Sequence, residues 1–150
     1  MRQNGRRARL LAALCLGLGL VAGASAQTQA GFKLIVPIAN PATKIRRADA
    51  AAFFLRKAQR WGQGAVVVPV DQSMTSAIRA RFSDKVLGQP IVAVRTYWQQ
   101  QIFSGGQQPP PVKTSDDEVI AFVAADPGAV GYVSESAVLP ATVKELTLID

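Results

Sequence analysis

The stretch 66-VVVPVDQSMTSAIRARF-82 decides how the chain is to be read. Three valines end in Pro69-Val70-Asp71, and Ser73, Thr75 and Ser76 then introduce apolar residues at helical spacing: Met74, Ile78, Phe82 and Val86. Such spacing predicts a helix with one buried stripe. Three consecutive valines imply burial on both faces of a strand, which a sheet covered by helices on each side provides. The joint is therefore that of an α/β layer fold.

The flanking segments extend the pattern. Residues 33–38 (KLIVPI) read as a first strand, which Asn40-Pro41 breaks into a loop. Ile45, Ala48, Ala52 and Leu55, with Phe53 and Phe54 beside them, predict a helix over 45–55 that Trp61-Gly62-Gln63-Gly64 closes. Residues 65–70 form the second strand. Lys44, Arg46 and Arg47 read as the solvated start of the first helix rather than a phosphate patch. After Gly88 and Pro90, the stripe Ile91, Val94, Trp98 and Ile102 predicts a third helix, with Trp98 as a packing residue. Two glycines and three prolines exclude regular structure from residues 104–112 and predict a surface loop. Ser115 can cap a helix whose first turn carries Asp116, Asp117 and Glu118, acids that suit the positive end of its dipole. Residues 127–133 read as a turn feeding a strand, and 143–149 as a last strand. The expected class is α/β, three layers, with a central mixed sheet flanked by helices.

The amino-terminal residues are read apart from the fold. Four arginines without an acid, an apolar run over 10–23 and then Ala24-Ser25-Ala26 make the pattern of a signal peptide over residues 1–26. The run is short for a membrane span, which needs about 20 residues. Cys15 follows Leu14, where a lipidation signal wants a small residue, so no lipid anchor is expected. Residues 27–150 are then a single exported domain without stable membrane insertion. That domain has neither cysteine nor histidine, so disulfides and the usual Cys and His centres for metal or nucleophilic catalysis are excluded. Without Arg2, Arg6, Arg7 and Arg9, the 17 basic residues become 13 against 10 acidic, and the net charge drops from +7 to +3. A mildly basic domain suits anions and gives no support to nucleic-acid binding.

The ordered segments FFLRKAQRWGQG, VVVPVDQSMTS, YWQQQIFSG and above all DPGAVGYV resemble the phosphate-binding proteins of bacterial ABC importers. These belong to the type II periplasmic-binding-protein superfamily. The resemblance implies a periplasmic solute-binding protein whose two lobes close on a ligand; the residues available here correspond to the second lobe, a single-lobe short form. Its partners would be a transporter permease, a second lobe or another periplasmic protein. The family joint reads Arg-x-Asp-Gly-Ser-Gly-Thr, in which the arginine and the Ser-Gly-Thr run contact phosphate. Asp71, Ser73 and Thr75 match it, whereas Pro69 replaces the arginine and Gln72 and Met74 replace the glycines.

Physical chemistry supports an anion site at the joint independently. The first amides of a helix lack intrahelical acceptors, and Ser73, Thr75 and Ser76 add hydroxyl donors around them. The other reading is that Asp71 or Ser73 merely caps the helix. The candidate ligand-binding set is Asp71, Ser73, Thr75, Ser76 and Arg79, for phosphate or a similar oxyanion. Without the arginine, Asp71 opposes an anion, and Arg79, one turn beyond Thr75, is the candidate to compensate. No cofactor or metal is expected. An enzyme is not expected either, because no spacing singles out a Ser-Lys or carboxylate pair. The alternative function is a non-transport adaptor or sensor-partner domain with a vestigial anion site.

Overall fold

A computed structural model describes residues 31–62 and 64–150. The signal peptide expected over residues 1–26 lies outside them. Among the described residues, seven strands and four α-helices follow in chain order. These are β1 (Phe32–Pro37), β2 (Lys44–Arg46), α1 (Arg47–Phe54), β3 (Val68–Pro69), β4 (Asp71–Gln72), α2 (Ala77–Phe82), α3 (Ile91–Phe103), β5 (Val112–Lys113), α4 (Asp116–Ala125), β6 (Ala129–Ser134) and β7 (Val143–Ile149). A π-helical segment, Ser83–Leu87, continues α2 and stops at Gly88, whose φ is 64°. The main sheet has the order β2-β7-β1-β6-β3. β1 runs antiparallel to both neighbours, and β2 and β3 lie parallel to β7 and β6. A separate parallel pair joins β4 to β5. The fold is α/β with a mixed sheet.

The pleat explains the layering. Leu34 stands opposite Tyr132 and Leu146, and these side chains join Val36, Phe54, Phe82 and Trp98 in one core. Ile35, one residue on, points to the other face and packs with Val70, Val119, Val123 and Val133 beneath α4. Both faces of the sheet are thus buried under helices, which gives three layers. In the larger core Phe82 stacks on Tyr132 (ring centroids 3.9 Å apart, planes 4° apart) and meets Phe54 edge-on.

Some elements depart from the sequence reading. Ile45 belongs to the edge strand β2, so the first helix starts two residues later than its apolar spacing suggests, and Lys44 and Arg46 lie on a strand. That helix closes on Arg56 in the left-handed region (φ 57°), with the Arg56 and Lys57 amides returning to the Phe53 and Ala52 carbonyls. The predicted strand over 65–70 shrinks to two residues, and Val66 is exposed. Regular pairing begins only at Val68, opposite Ala129. Met74 leaves the predicted stripe: it sits in the turn before α2 and is 48% exposed.

The start of α4 follows the sequence reading closely. Ser115 accepts the Glu118 amide at 3.2 Å, and the Glu118 carboxylate accepts the Thr114 amide and hydroxyl at 2.7 and 2.9 Å. The Thr114 amide, chiefly, holds the Glu118 carboxyl below its usual range. The stability it lends is present above the ordinary carboxylate pKa and fades as pH falls through the depressed value. Ser115→Ala is expected to cost about 1 kcal/mol, read as a shift of the urea midpoint without a change in slope.

Candidate functional site

The joint between β3 and α2 is organised by a buried polar network. Asp71 and Gln72 leave the main sheet and pair with Val112 and Lys113 of β5. Asp71 accepts the Tyr132 hydroxyl at 2.5 Å and the Gln72 amide at 2.8 Å, and its other oxygen lies 3.0 Å from Arg79 Nη2. Arg79 Nη1 donates to Ser83 Oγ at 2.6 Å. The two charged side chains are only 11% and 5% exposed. Burial pushes the Asp71 carboxyl up, more than the Arg79 cation and the Tyr132 hydroxyl pull it down. Burial, with the Asp71 carboxylate beside it, drives the Tyr132 phenol far above its usual value. Tyr132 therefore remains a donor.

Gln72 ties four elements together. Its amide nitrogen donates to the Tyr132 carbonyl (3.0 Å) and to Asp116 Oδ1 (3.1 Å), and its oxygen accepts from Ser76 Oγ (3.0 Å). Asp116 also accepts the Ser134 amide (3.1 Å) and the Ser134 hydroxyl. β4, α2, α4 and β6 meet here, and although the buried Arg79 Nε has no partner, the other bonds of the network fix how α2 leaves the sheet. Sequence reasoning missed three of its members. Gln72 was read only as a replaced glycine, Asp116 only as a charge at a helix end, and Tyr132 only as a strand residue. The available signal was a polar group inside an otherwise apolar strand, which must find a partner when buried.

The five predicted site residues divide into two groups. Asp71 and Arg79 pair with each other, so the Asp71 charge has its counter-ion in Arg79, the residue named as the candidate to compensate. Ser76 is the cap of α2, accepting the Arg79 amide at 3.4 Å while donating to Gln72, so neither Asp71 nor Ser73 is the cap. Ser73 and Thr75 form the outward part: their hydroxyls lie 3.0 Å apart, Ser73 half-buried and Thr75 exposed. Among the described residues the Ala77 and Ile78 amides have no acceptor. Met74 does not seal this turn. It borders a cleft of ≈ 200 Å³ walled by Trp98, Arg95 and the Pro109-Pro110 segment, which reaches Asp71 and Arg79.

No family model and no curated protein matches the chain. Solved structures do. An ABC-type phosphate transport receptor from Vibrio cholerae superposes with a TM-score of 0.62 at 19% identity, over 79% of this chain and 46% of the receptor. PstS from Borrelia burgdorferi gives a TM-score of 0.61 at 16% identity, over 79% of this chain and 47% of that one. The fold is that of one lobe of these proteins. At such identities the likeness establishes the fold, and the chain spans less than half the length of either neighbour. Among the described residues no helix is long and apolar enough to cross a membrane.

Proposed function

We propose that this chain is an exported, periplasmic solute-binding module that takes phosphate or a similar oxyanion at residues 73–76. Its signal peptide is residues 1–26, and residues 27–150 form one periplasmic-binding-protein-like domain. The observation that carries this reading is the Ser73–Thr75 hydroxyl pair beside the acceptor-free Ala77 and Ile78 amides, at the strand–helix joint of a phosphate-receptor fold. Ligands in open α/β sheets favour that end of the strands. Asp71 and Arg79 belong to the site as its rigid floor, and Ser76 aligns its helix.

The binding expected of this lobe alone is weak. Arg79 is committed to Asp71, so the anion meets hydroxyls and amides without a cation bonded to it. Charged acceptors gain about 1.5–3 kcal/mol per hydrogen bond before the cost of immobilisation. Two or three such contacts leave a dissociation constant of about 1 mM. Tight capture would need a second lobe, or a transporter partner, to complete the cleft. Titration calorimetry with phosphate and sulfate is expected to show millimolar binding that Ser73→Ala/Thr75→Ala abolishes. Absence of both heat and thermal shift at about 10 mM of either anion would overturn the proposal.

The internal Asp71–Arg79 pair favours a second reading, a non-transport adaptor or sensor-partner domain with a vestigial anion site. Arg79, the cation expected to serve the joint, already has its counter-ion. Affinity capture from an envelope extract should then return the same protein partner with and without phosphate, and calorimetry should be silent.

A further inference from the structure

A hollow of ≈ 510 Å³ lies against β2, α1 and the turn after α1, and shares no lining residue with the 73–76 turn. Its volume is in the range of small-molecule sites, about 300–1,000 Å³, whereas the cleft beside Met74 falls below it. Its charged lining is Lys44, Arg46 and Arg60 against the single carboxylate of Asp49. Arg46 forks onto Asp49 through Nε (2.8 Å) and Nη2 (3.2 Å), so these two cancel. Arg60 makes one long bond, 3.3 Å, to the Gly64 carbonyl, and Lys44 has no partner among the described residues. Two cations thus remain for an anion.

The apolar wall includes Ile45 and Ile149, and its aromatic part is Phe53 and Trp61. The Trp61 indole is fixed twice, by its N–H donating to the Gly128 carbonyl at 3.0 Å and by edge-on contact with Phe53 at 4.9 Å. With its donor already used, the half-buried indole can contribute to a guest through its ring rather than through a hydrogen bond. A rigid aromatic face beside uncommitted cations selects a flat ring carrying negative charge.

We propose that this hollow binds an aromatic phosphate ester of nucleoside-monophosphate size, its ring on Trp61 and its phosphate on Lys44 and Arg60. The site is independent of the oxyanion reading at residues 73–76. Trp61 and Trp98 are the two tryptophans of the chain, so Trp98→Phe in the full chain leaves Trp61 as the reporter. Adenosine monophosphate is expected to quench its fluorescence saturably in the millimolar range, with inorganic phosphate inert and adenosine much weaker. Lys44→Gln/Arg60→Gln should weaken binding about tenfold or more, as the loss of charge-assisted hydrogen bonds requires. Ser73→Ala/Thr75→Ala should leave it unchanged. Should Trp98→Phe fail to fold, calorimetry on Ser73→Ala/Thr75→Ala, which lacks the 73–76 site, reads the same comparison. The proposal is overturned by no response at about 10 mM nucleotide. Equal binding of adenosine and its monophosphate, or loss of binding in Ser73→Ala/Thr75→Ala, would overturn it as well.

Discussion

Arg79→Met is expected to remove about 3–5 kcal/mol of folding stability at neutral pH, the usual cost of leaving one half of a buried ion pair alone. In the parent protein the Asp71 carboxylate has the Arg79 guanidinium at 3.0 Å and donors from Tyr132 and Gln72. Methionine keeps much of the volume and removes the charge. Asp71, which burial already pushes up, then rises further. The sign of the pH dependence follows. Between the unfolded value, about 3.9, and the raised folded value, the folded chain holds a proton that the unfolded chain has released. Stability therefore falls as pH rises through that window, and the deficit of Arg79→Met should shrink as pH drops toward about 4. Adding Asp71→Asn should recover most of the loss, because no bare charge is left. Urea denaturation from pH 4 to 8 reads the parent and both variants. A deficit in Arg79→Met below about 1 kcal/mol at every pH, the range of exposed pairs, would show that the pair is effectively solvated and does not hold α2.

Elements that carry their own period were legible in the sequence. β1 alternates Leu34 and Val36 against Ile35, and α3 places Val94 and Trp98 on one buried stripe. Elements defined by a partner were not. β2 is three residues whose strand character comes only from β7, some hundred residues away in the chain. The three valines misled because Val66 makes no more than an isolated bridge to Arg60, so hydrophobicity without a partner strand left it exposed. The hydroxyl-rich joint was readable, since Ser73, Thr75 and Ser76 are adjacent. Its electrostatics were not. Whether Asp71 repels an anion depends on Arg79, Tyr132 and Gln72 meeting in space, and only the Asp71-to-Arg79 spacing is visible along the chain.

Gly128→Ala is expected to cost about 3 kcal/mol or more, well beyond the ordinary surface substitution. A Cβ at this position would stand 2.0 Å from the Val66 carbonyl oxygen, a backbone atom that cannot rotate away. The same glycine's carbonyl accepts the Val68 amide and the Trp61 indole, each at 3.0 Å. Relieving the clash by moving β3 off β6 would weaken both bonds, each worth about 0.5–1.5 kcal/mol. Gly131→Ala makes the internal comparison. The nearest atoms to its Cβ would be methyl groups of Val70 and Val119 at 2.8 Å and of Val123 at 3.1 Å, side chains rather than backbone, which yield by local repacking of buried valines. It should cost about 1–2 kcal/mol. Because β3 delivers Asp71 and the 73–76 turn, amide exchange in Gly128→Ala should rise first at Val68 and Val70, and then along α2. Uniform exchange with an unchanged melting temperature would mean that the β3–β6 edge does not position the joint, and the rigid floor assigned to Asp71 and Arg79 would lose its support.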